Sequence, residues 1–344
     1  MKCRHCYHQL KDIFLDLGHC PPSNAIKTKN DLSKPEVSYP LKILVCSKCW
    51  LVQTLDFIDE NKLFTSDYPY FSSVSSHWIE HIRKYCKSII KKLNLDTNSF
   101  VVEIASNDGY LLKNFVKSKI QCLGVEPAKS VATVAKKSGI PVIVEFFDSK
   151  ISEALIKKYK KADLIIGNNV YAHVPDINDF TLGLKTLLSD NGTITLEFAY
   201  LLNLIQKNEF DTVYHEHFSY LCLHSVQAIF KNAGLKIYDV EELTTHGGSL
   251  RVYGCHEKAD FKITNQVYKQ ILKEKQNGLL KRETYMDFQK HADKVKNTLL
   301  EFLIEKKMQG KSVAGYGAAA KGNTLLNYAG VKPDLLPFVS DAAL

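Results

Sequence analysis

Two Cys-x2-Cys pairs, Cys3/Cys6 and Cys46/Cys49, restrict what this chain of 344 residues can fold into more than any other feature. Two residues between thiolates let both sulfurs of a tight turn face one tetrahedral ion, and a second such turn completes the shell. Four protein ligands leave no open coordination position. The expected Zn2+ is therefore structural, fixing a small module whose own core is too poor to hold it. A redox dithiol would need a thioredoxin-like βαβ context, which the flanking sequence lacks. Cys20, Cys86, Cys122, Cys222 and Cys255 have no matched spacing and read as buried fillers. The chain begins Met1-Lys2-Cys3 without an apolar leader, and no apolar run approaches the roughly 18 residues of a spanning helix. Cysteine usage of this kind predicts a reducing, cytoplasmic setting with no membrane partner. A Pro-rich loop and an apolar strand over 41–45 lead into the second pair, so residues 1–66 read as a zinc ribbon-like domain.

An amphipathic helix over 76–93 opens the second unit, residues 67–245. Short apolar strands then alternate with helical stretches, at 100–105, 122–126, 142–146, 163–168 and 193–198. That alternation predicts a parallel, doubly wound α/β sheet with its ligand beyond the carboxyl ends of the strands. The first strand–turn, Glu103-Ile104-Ala105-Ser106-Asn107-Asp108-Gly109, has one glycine where a dinucleotide turn has three. Asn and Asp tolerate left-handed backbone, so the turn still forms. It suits a ligand without phosphates, such as S-adenosylmethionine (SAM), better than NAD. Glu126, followed by Pro127, ends the second strand where a carboxylate can accept from ribose hydroxyls. Phe147 stands after the third strand, where adenine or the core can take it. Asn168 and Asn169 make a polar turn after the fourth, with His173 beyond. Together these features predict a class I SAM-methyltransferase sheet.

Tyr214-His215-Glu216-His217 is the densest reactive stretch. On a strand, His215 and His217 would share one face and Glu216 the other. A neutral His oriented by a carboxylate can take a proton at pH 7, the functional reading. A second metal site using His173 and a hydrogen-bonded polar seam are the alternatives. Farther on, Phe288, Ala292, Val295, Leu299 and Phe302 form one apolar helix face. Residues 312–324 then read as strand, Gly-rich turn and helix, where Lys321 and a helix N-terminus can meet an anion or the small residues can simply pack. A strand over 336–340 follows. One such unit needs more strands to bury its faces, so residues 246–344 are expected to be an incomplete domain.

In this order, the two cysteine pairs, 70–75, Glu103 to Gly109, Ala172-His173-Val174-Pro175, 214–217, 246–251 and 315–324 resemble the SAM-dependent C-methyltransferases of nucleotide-linked 4-keto-deoxysugars. The resemblance spans the chain. It implies a zinc domain, a SAM domain and a Rossmann-like C-terminal domain that is cut short here. It also implies that His217 is the base that removes the C3 proton, with Glu216, Tyr214 and His173 orienting base and sugar. Tyr70 or Tyr68 would reach the sugar from the loop after the zinc domain, and His246, Arg251, Tyr316, Lys321 and Asn323 would contact the nucleotide sugar. The partner implied is a nucleotide-diphosphate keto-sugar, met by a monomer or weak homo-oligomer. The net charge of +8 admits that anion, and equally a nucleic-acid base methyltransferase. The lysines are dispersed, however, with no basic run interleaved with aromatics. A truncated, inactive SAM-binding homologue is the remaining alternative.

Overall fold

The computed structural model describes residues 1–56, 58 and 71–341. Tyr68 and Tyr70 lie outside them. The zinc module is an antiparallel sheet of β1 (Asp12–Cys20), β2 (Tyr39–Val45) and β3 (Val52–Thr54). Each cysteine pair closes on itself in the same way. Tyr7 N–H donates to the Cys3 carbonyl and Trp50 N–H to the Cys46 carbonyl, and both aromatics are left-handed (φ 58° and 59°). The matched spacing thus folds into matched knuckles.

The helix α1 (Ser76–Lys92), capped by Ser75 Oγ accepting from Trp78 N–H, leads into the central sheet. Its strands are β4 (Phe100–Ile104), β5 (Gln121–Val125), β6 (Val142–Ile143), β7 (Ala162–Asn168), β8 (Leu188–Ala199), β10 (Leu235–Leu243) and β11 (Ser249–His256), in the spatial order β10-β11-β8-β7-β4-β5-β6. From β8 to β6 all neighbours are parallel; β11 runs antiparallel to both β8 and β10. This is the class I methyltransferase sheet expected from the alternation. Every residue of β4 is buried, as a strand covered on both faces requires. Between the strands run α2 (Leu112–Lys117), α3 (Lys129–Lys137), α4 (Ser149–Lys158), α5 (Ile177–Leu187), α6 (Leu201–Lys207) and α7 (Leu223–Asn232). The chain crosses from the β6 edge to β7 on the other side of β4, so the switch point, and the crevice it creates, lies at the carboxyl ends of β4 and β7. The third strand is two residues long, shorter than its sequence suggests, and β11 lies inside this sheet although it follows residue 245.

A short β9 (Ser219–Tyr220) leaves the central unit and pairs with β3, extending the zinc-module sheet to four strands. After α8 (Asn265–Gln276) and α9 (Arg282–Met286) comes α10 (Phe288–Met308). Of its expected apolar face, Phe288 and Ala292 are buried, and Phe288 stacks on Phe14 of β1 at 4.6 Å. Val295 and Phe302 are exposed and Leu303 is buried instead, because only part of this long helix packs on the body. The last described elements form one parallel unit of β12 (Gly315–Tyr316), α11 (Ala320–Ala329) and β13 (Val339–Ser340). Among the described residues, no helix is long and apolar enough to cross a membrane.

Candidate active site

The four cysteine sulfurs lie within 4.8 Å of one another, with Cys3–Cys49 at 3.6 Å and Cys6–Cys46 at 3.5 Å. Sulfurs about 2.3 Å from a tetrahedral zinc stand roughly 3.8 Å apart, so the quartet fits such an ion. Two donors face the sulfurs, Gln53 Nε2 to Cys3 (3.3 Å) and Lys48 N–H to Cys46 (3.4 Å). Among the described residues this is the one cluster of three or more ligand side chains close enough to hold a metal.

At the crevice, Ala105, Asn107 and Gly109 are left-handed (φ 56°, 49° and 77°). The turn therefore uses Asn107 as its composition suggests, but Ala105 rather than Asp108. Ser106 lies so close to β5 that a Cβ on Gly124 would sit 2.3 Å from its Oγ. Glu126 is buried and accepts from Asn107 N–H (2.9 Å) and Ala128 N–H (2.8 Å); desolvation nevertheless raises its carboxyl above the ordinary range. From outside, Ser72 N–H donates to Asn107 Oδ1 and Ser73 N–H to Asp108 Oδ2, so the chain arriving from the zinc module covers the turn. Pro127 is half-buried after Glu126. Phe147 packs edge-on against Phe180 at 5.3 Å, and Asn169 (φ 53°) donates its N–H to the Glu197 carbonyl.

Around this turn, four buried side chains keep polar atoms with no hydrogen-bond partner: both carboxylate oxygens of Glu103, Ser106 Oγ, Asp108 Oδ1 and both amide atoms of Asn168. Burial, with Glu126 and Asp108 nearby, pushes the Glu103 carboxyl well above its ordinary range. Such atoms are costly to bury unless a polar ligand meets them. They gather at the carboxyl ends of β4 and β7.

Residues 213–218 form a turn rather than a strand, closed by His217 N–H to the Tyr214 carbonyl (3.0 Å). The histidines consequently diverge. His215 turns to the zinc module, with Nε2 3.3 Å from the Pro40 carbonyl and its ring edge-on to Tyr39. His217 turns the other way, among Tyr214 (4.0 Å between ring centroids), His173 (4.7 Å) and Tyr220 (5.9 Å). A shared metal face for His215 and His217 is thereby lost. The Thr212 carbonyl, 2.9 Å from His217 Nδ1, accepts a hydrogen bond from the N–H of that nitrogen and leaves Nε2 as the basic one. Desolvation, and secondarily His173, push His217 well below the usual imidazole range; His173 itself is pushed down to about 4 by burial. Both rings are neutral at pH 7. Glu216 is buried and accepts from Asn24 Nδ2 at 2.6 Å.

Beside the crevice lies a network that joins Arg251 and His246, expected at the substrate, to Glu197, His81 and Trp78, which no sequence motif marks. Glu197 of β8 is fully buried, and Arg251 of β11 pairs with it at 2.5 Å. His81 Nε2 (3.1 Å) and Thr245 Oγ1 (2.9 Å) also meet Glu197. Burial alone would raise this carboxyl, but His81 and Arg251 hold it below the ordinary range. Trp78 stacks on His81 (5.1 Å) and meets His246 edge-on (4.9 Å). The available signal was Glu197 as the one charged residue between Thr193 and Phe198, the strand expected from sequence. Of the residues expected to meet substrate, Lys321 and His246 lie near enough to depress His217 electrostatically. Arg251 engages Glu197 and Glu241, Asn323 Nδ2 donates to the Ser23 carbonyl (2.8 Å), and Tyr316 is exposed.

Three family models match consecutive parts of the chain: "Putative zinc binding domain" over residues 3–64, "Methyltransferase domain" over 78–240 and "C-methyltransferase C-terminal domain" over 244–344. The C-methyltransferase NovU of Streptomyces niveus is 32% identical over 346 residues, an alignment covering all of this chain and 81% of the relative. Among solved structures, the magnesium protoporphyrin IX methyltransferase of Synechocystis PCC 6803 is 14% identical, with 52% of this chain and 83% of that one covered and a TM-score of 0.42. An S-adenosylmethionine-dependent methyltransferase of Clostridium acetobutylicum is 12% identical, covering 57% and 95%, with a TM-score of 0.41.

Proposed function

This chain belongs to the SAM-dependent C-methyltransferases, and from that premise we propose that it methylates C3 of a nucleotide-linked 4-keto-deoxysugar, with His217 as the base. The observation that carries this reading is the neutral His217, whose Nδ1 is held by the Thr212 carbonyl while Glu216 is buried beside it. A base so held needs no prior deprotonation at pH 7.

Glu103, Ser106, Asp108 and Asn168 have the unused donors and acceptors to hold the amino-acid and ribose ends of SAM, and Glu126 the second carboxylate. Bound there, SAM supplies an electrophilic methyl on a sulfonium. The C4 ketone acidifies the C3 hydrogen, and His217 Nε2 takes that proton as the enolate forms. The C–H electron pair left on C3 would be the nucleophile for the methyl that SAM, held by those residues, would supply, the sulfur leaving as the neutral thioether. Tyr214 and His173, packed against the His217 ring, fix its plane and steady the enolate oxygen. Lys321 and His246, close enough to act on His217, face the anionic end of the substrate. Enclosure by these rings excludes water, which protects the enolate from reprotonation.

Purified protein given SAM and a dTDP-linked 4-keto-deoxysugar should yield a product heavier by one methylene. His217→Asn should abolish that turnover while SAM binding by calorimetry stays intact. Normal turnover by the variant would remove His217 from the role of base.

A further inference from the structure

We propose that Asn24, a residue of the zinc module, is a positioning residue for methyl transfer, its side-chain amide holding the carboxylate of Glu216, the residue before the base. The inference rests on the reading of 214–217 as the proton-transfer segment.

Asn24 sits in the Pro-rich stretch that reads from sequence as a simple connection. In space it occupies a tight turn closed by Ala25 N–H to the Pro22 carbonyl (3.0 Å). From there Nδ2 reaches Glu216 Oε1 at 2.6 Å, across 192 residues of sequence. The turn itself is held from the third unit. Asn323 of α11 donates to the Ser23 carbonyl (2.8 Å), and the next residue, Thr324, donates to the Val213 carbonyl (3.0 Å). One helix therefore grips the chain beside Asn24 and the chain beside Glu216, and the Asn24–Glu216 bond closes the ring. The grip on the turn uses a backbone carbonyl, so removing the Asn24 side chain leaves it in place.

A charge-assisted hydrogen bond to a buried carboxylate both orients it and favours its ionised form. A neutral amide does this without adding charge to a turn whose next ring, His217, already has Lys321 of α11, His246 and His173 near enough to act on it, with Tyr214 packed against it and His215 turned to Pro40. Without the amide, Glu216 loses its donor from the zinc module.

The experiment compares wild type, Asn24→Ala, Asn24→Asp and Glu216→Gln. Asn24→Ala should lower kcat by about tenfold or more, as loss of a hydrogen bond to a charged group implies. SAM affinity and metal content should stay unchanged, and the unfolding temperature should fall by no more than the loss of one such bond implies. Asn24→Asp sets a second carboxyl against Glu216. At acid pH the two share a proton and the O–H replaces the amide donor; as pH rises both ionise and repel. Its activity relative to wild type should therefore fall with increasing pH toward that of Asn24→Ala. Carboxyl infrared difference spectra, with the Glu216 band assigned by its loss in Glu216→Gln, should show Glu216 protonating at higher pH in Asn24→Ala than in wild type. A kcat within twofold of wild type in Asn24→Ala, or an Asn24→Asp activity ratio flat with pH, overturns the proposal. If wild type itself leaves the keto-sugar unchanged, the substrate reading fails. The infrared titration then decides alone, and an unmoved Glu216 band overturns the link.

Discussion

Glu197 sits between Leu196 and Phe198 on β8, all three fully or almost fully buried, and is the one charged residue in the buried run 192–198 of that strand. Register explains how the charge is tolerated. Glu197 stands directly opposite Arg251 on β11, and Arg251 opposite Glu241 on β10, so one ionic row crosses three strands. The Arg251 guanidinium also lies over the Tyr85 ring at 4.2 Å. Removing one partner of a buried pair leaves an uncompensated charge, which costs about 3–5 kcal/mol. Arg251→Met should therefore lower unfolding stability by about that much, and adding Glu197→Gln should recover part of the loss. Chemical denaturation of the two single variants and the double measures this. Stability within 1 kcal/mol of wild type, with a raised KM for the nucleotide sugar, would instead return Arg251 to the substrate.

The turn between β4 and α2 works as an element because β5 supports it. A Cβ on Gly124 would meet Ser106 Oγ at 2.3 Å and Ser106 Cβ at 2.9 Å. The hydroxyl can rotate away, but the Cβ belongs to the turn and moves only with it. Gly124→Ala should thus cost about 1–3 kcal/mol of stability and weaken SAM binding at least tenfold, read by denaturation and calorimetry. Unchanged SAM affinity would show that the ligand does not rest on this turn. Elements of this kind are readable from sequence because their periodicity is local: the α1 helix, four of the five expected strands and both knuckles stand within two or three residues of their expected places. The segment at 213–218 is a different case. Its shape comes from contacts with Thr54, Pro40, Asn24 and Thr324, all distant in the chain, so alternation of His and Glu suggested a strand where the fold makes a turn. The clustering of His and Glu at 214–217 was visible in sequence; the directions of these side chains were not, and neither was the ionic row, whose members meet only through register.

At the scale of the whole molecule, the zinc module is built into the segment 213–220 rather than appended to it. Gln53 is fully buried, donates to the Cys3 sulfur and pairs in register with Ser219 of β9, two residues after His217. Thr54 Oγ1 donates to the His217 carbonyl at 2.5 Å. Arg4, between the first two cysteines, donates to the carbonyls of Thr54 and Pro175, the latter two residues after His173. A path of hydrogen bonds thus runs from the Cys3 sulfur through Gln53, Arg4 and Thr54 to the His217 carbonyl, with a branch from Arg4 to Pro175. Structural zinc contributes about 10–16 kcal/mol to small modules of this type, and a four-cysteine module loses its fold when the ion is removed. Stripping the metal with a strong chelator should therefore do more than lower the unfolding temperature. Amide exchange should rise across 212–220 as well as in β1–β3, methyl transfer should fall, and protection of β4 and β5, whose ladder bonds lie within the central sheet, should persist. SAM binding measured on the same sample should survive. Loss of protection confined to residues 1–54 would make the module a separate appendage, because a metal that shapes the site must loosen 212–220 when it leaves.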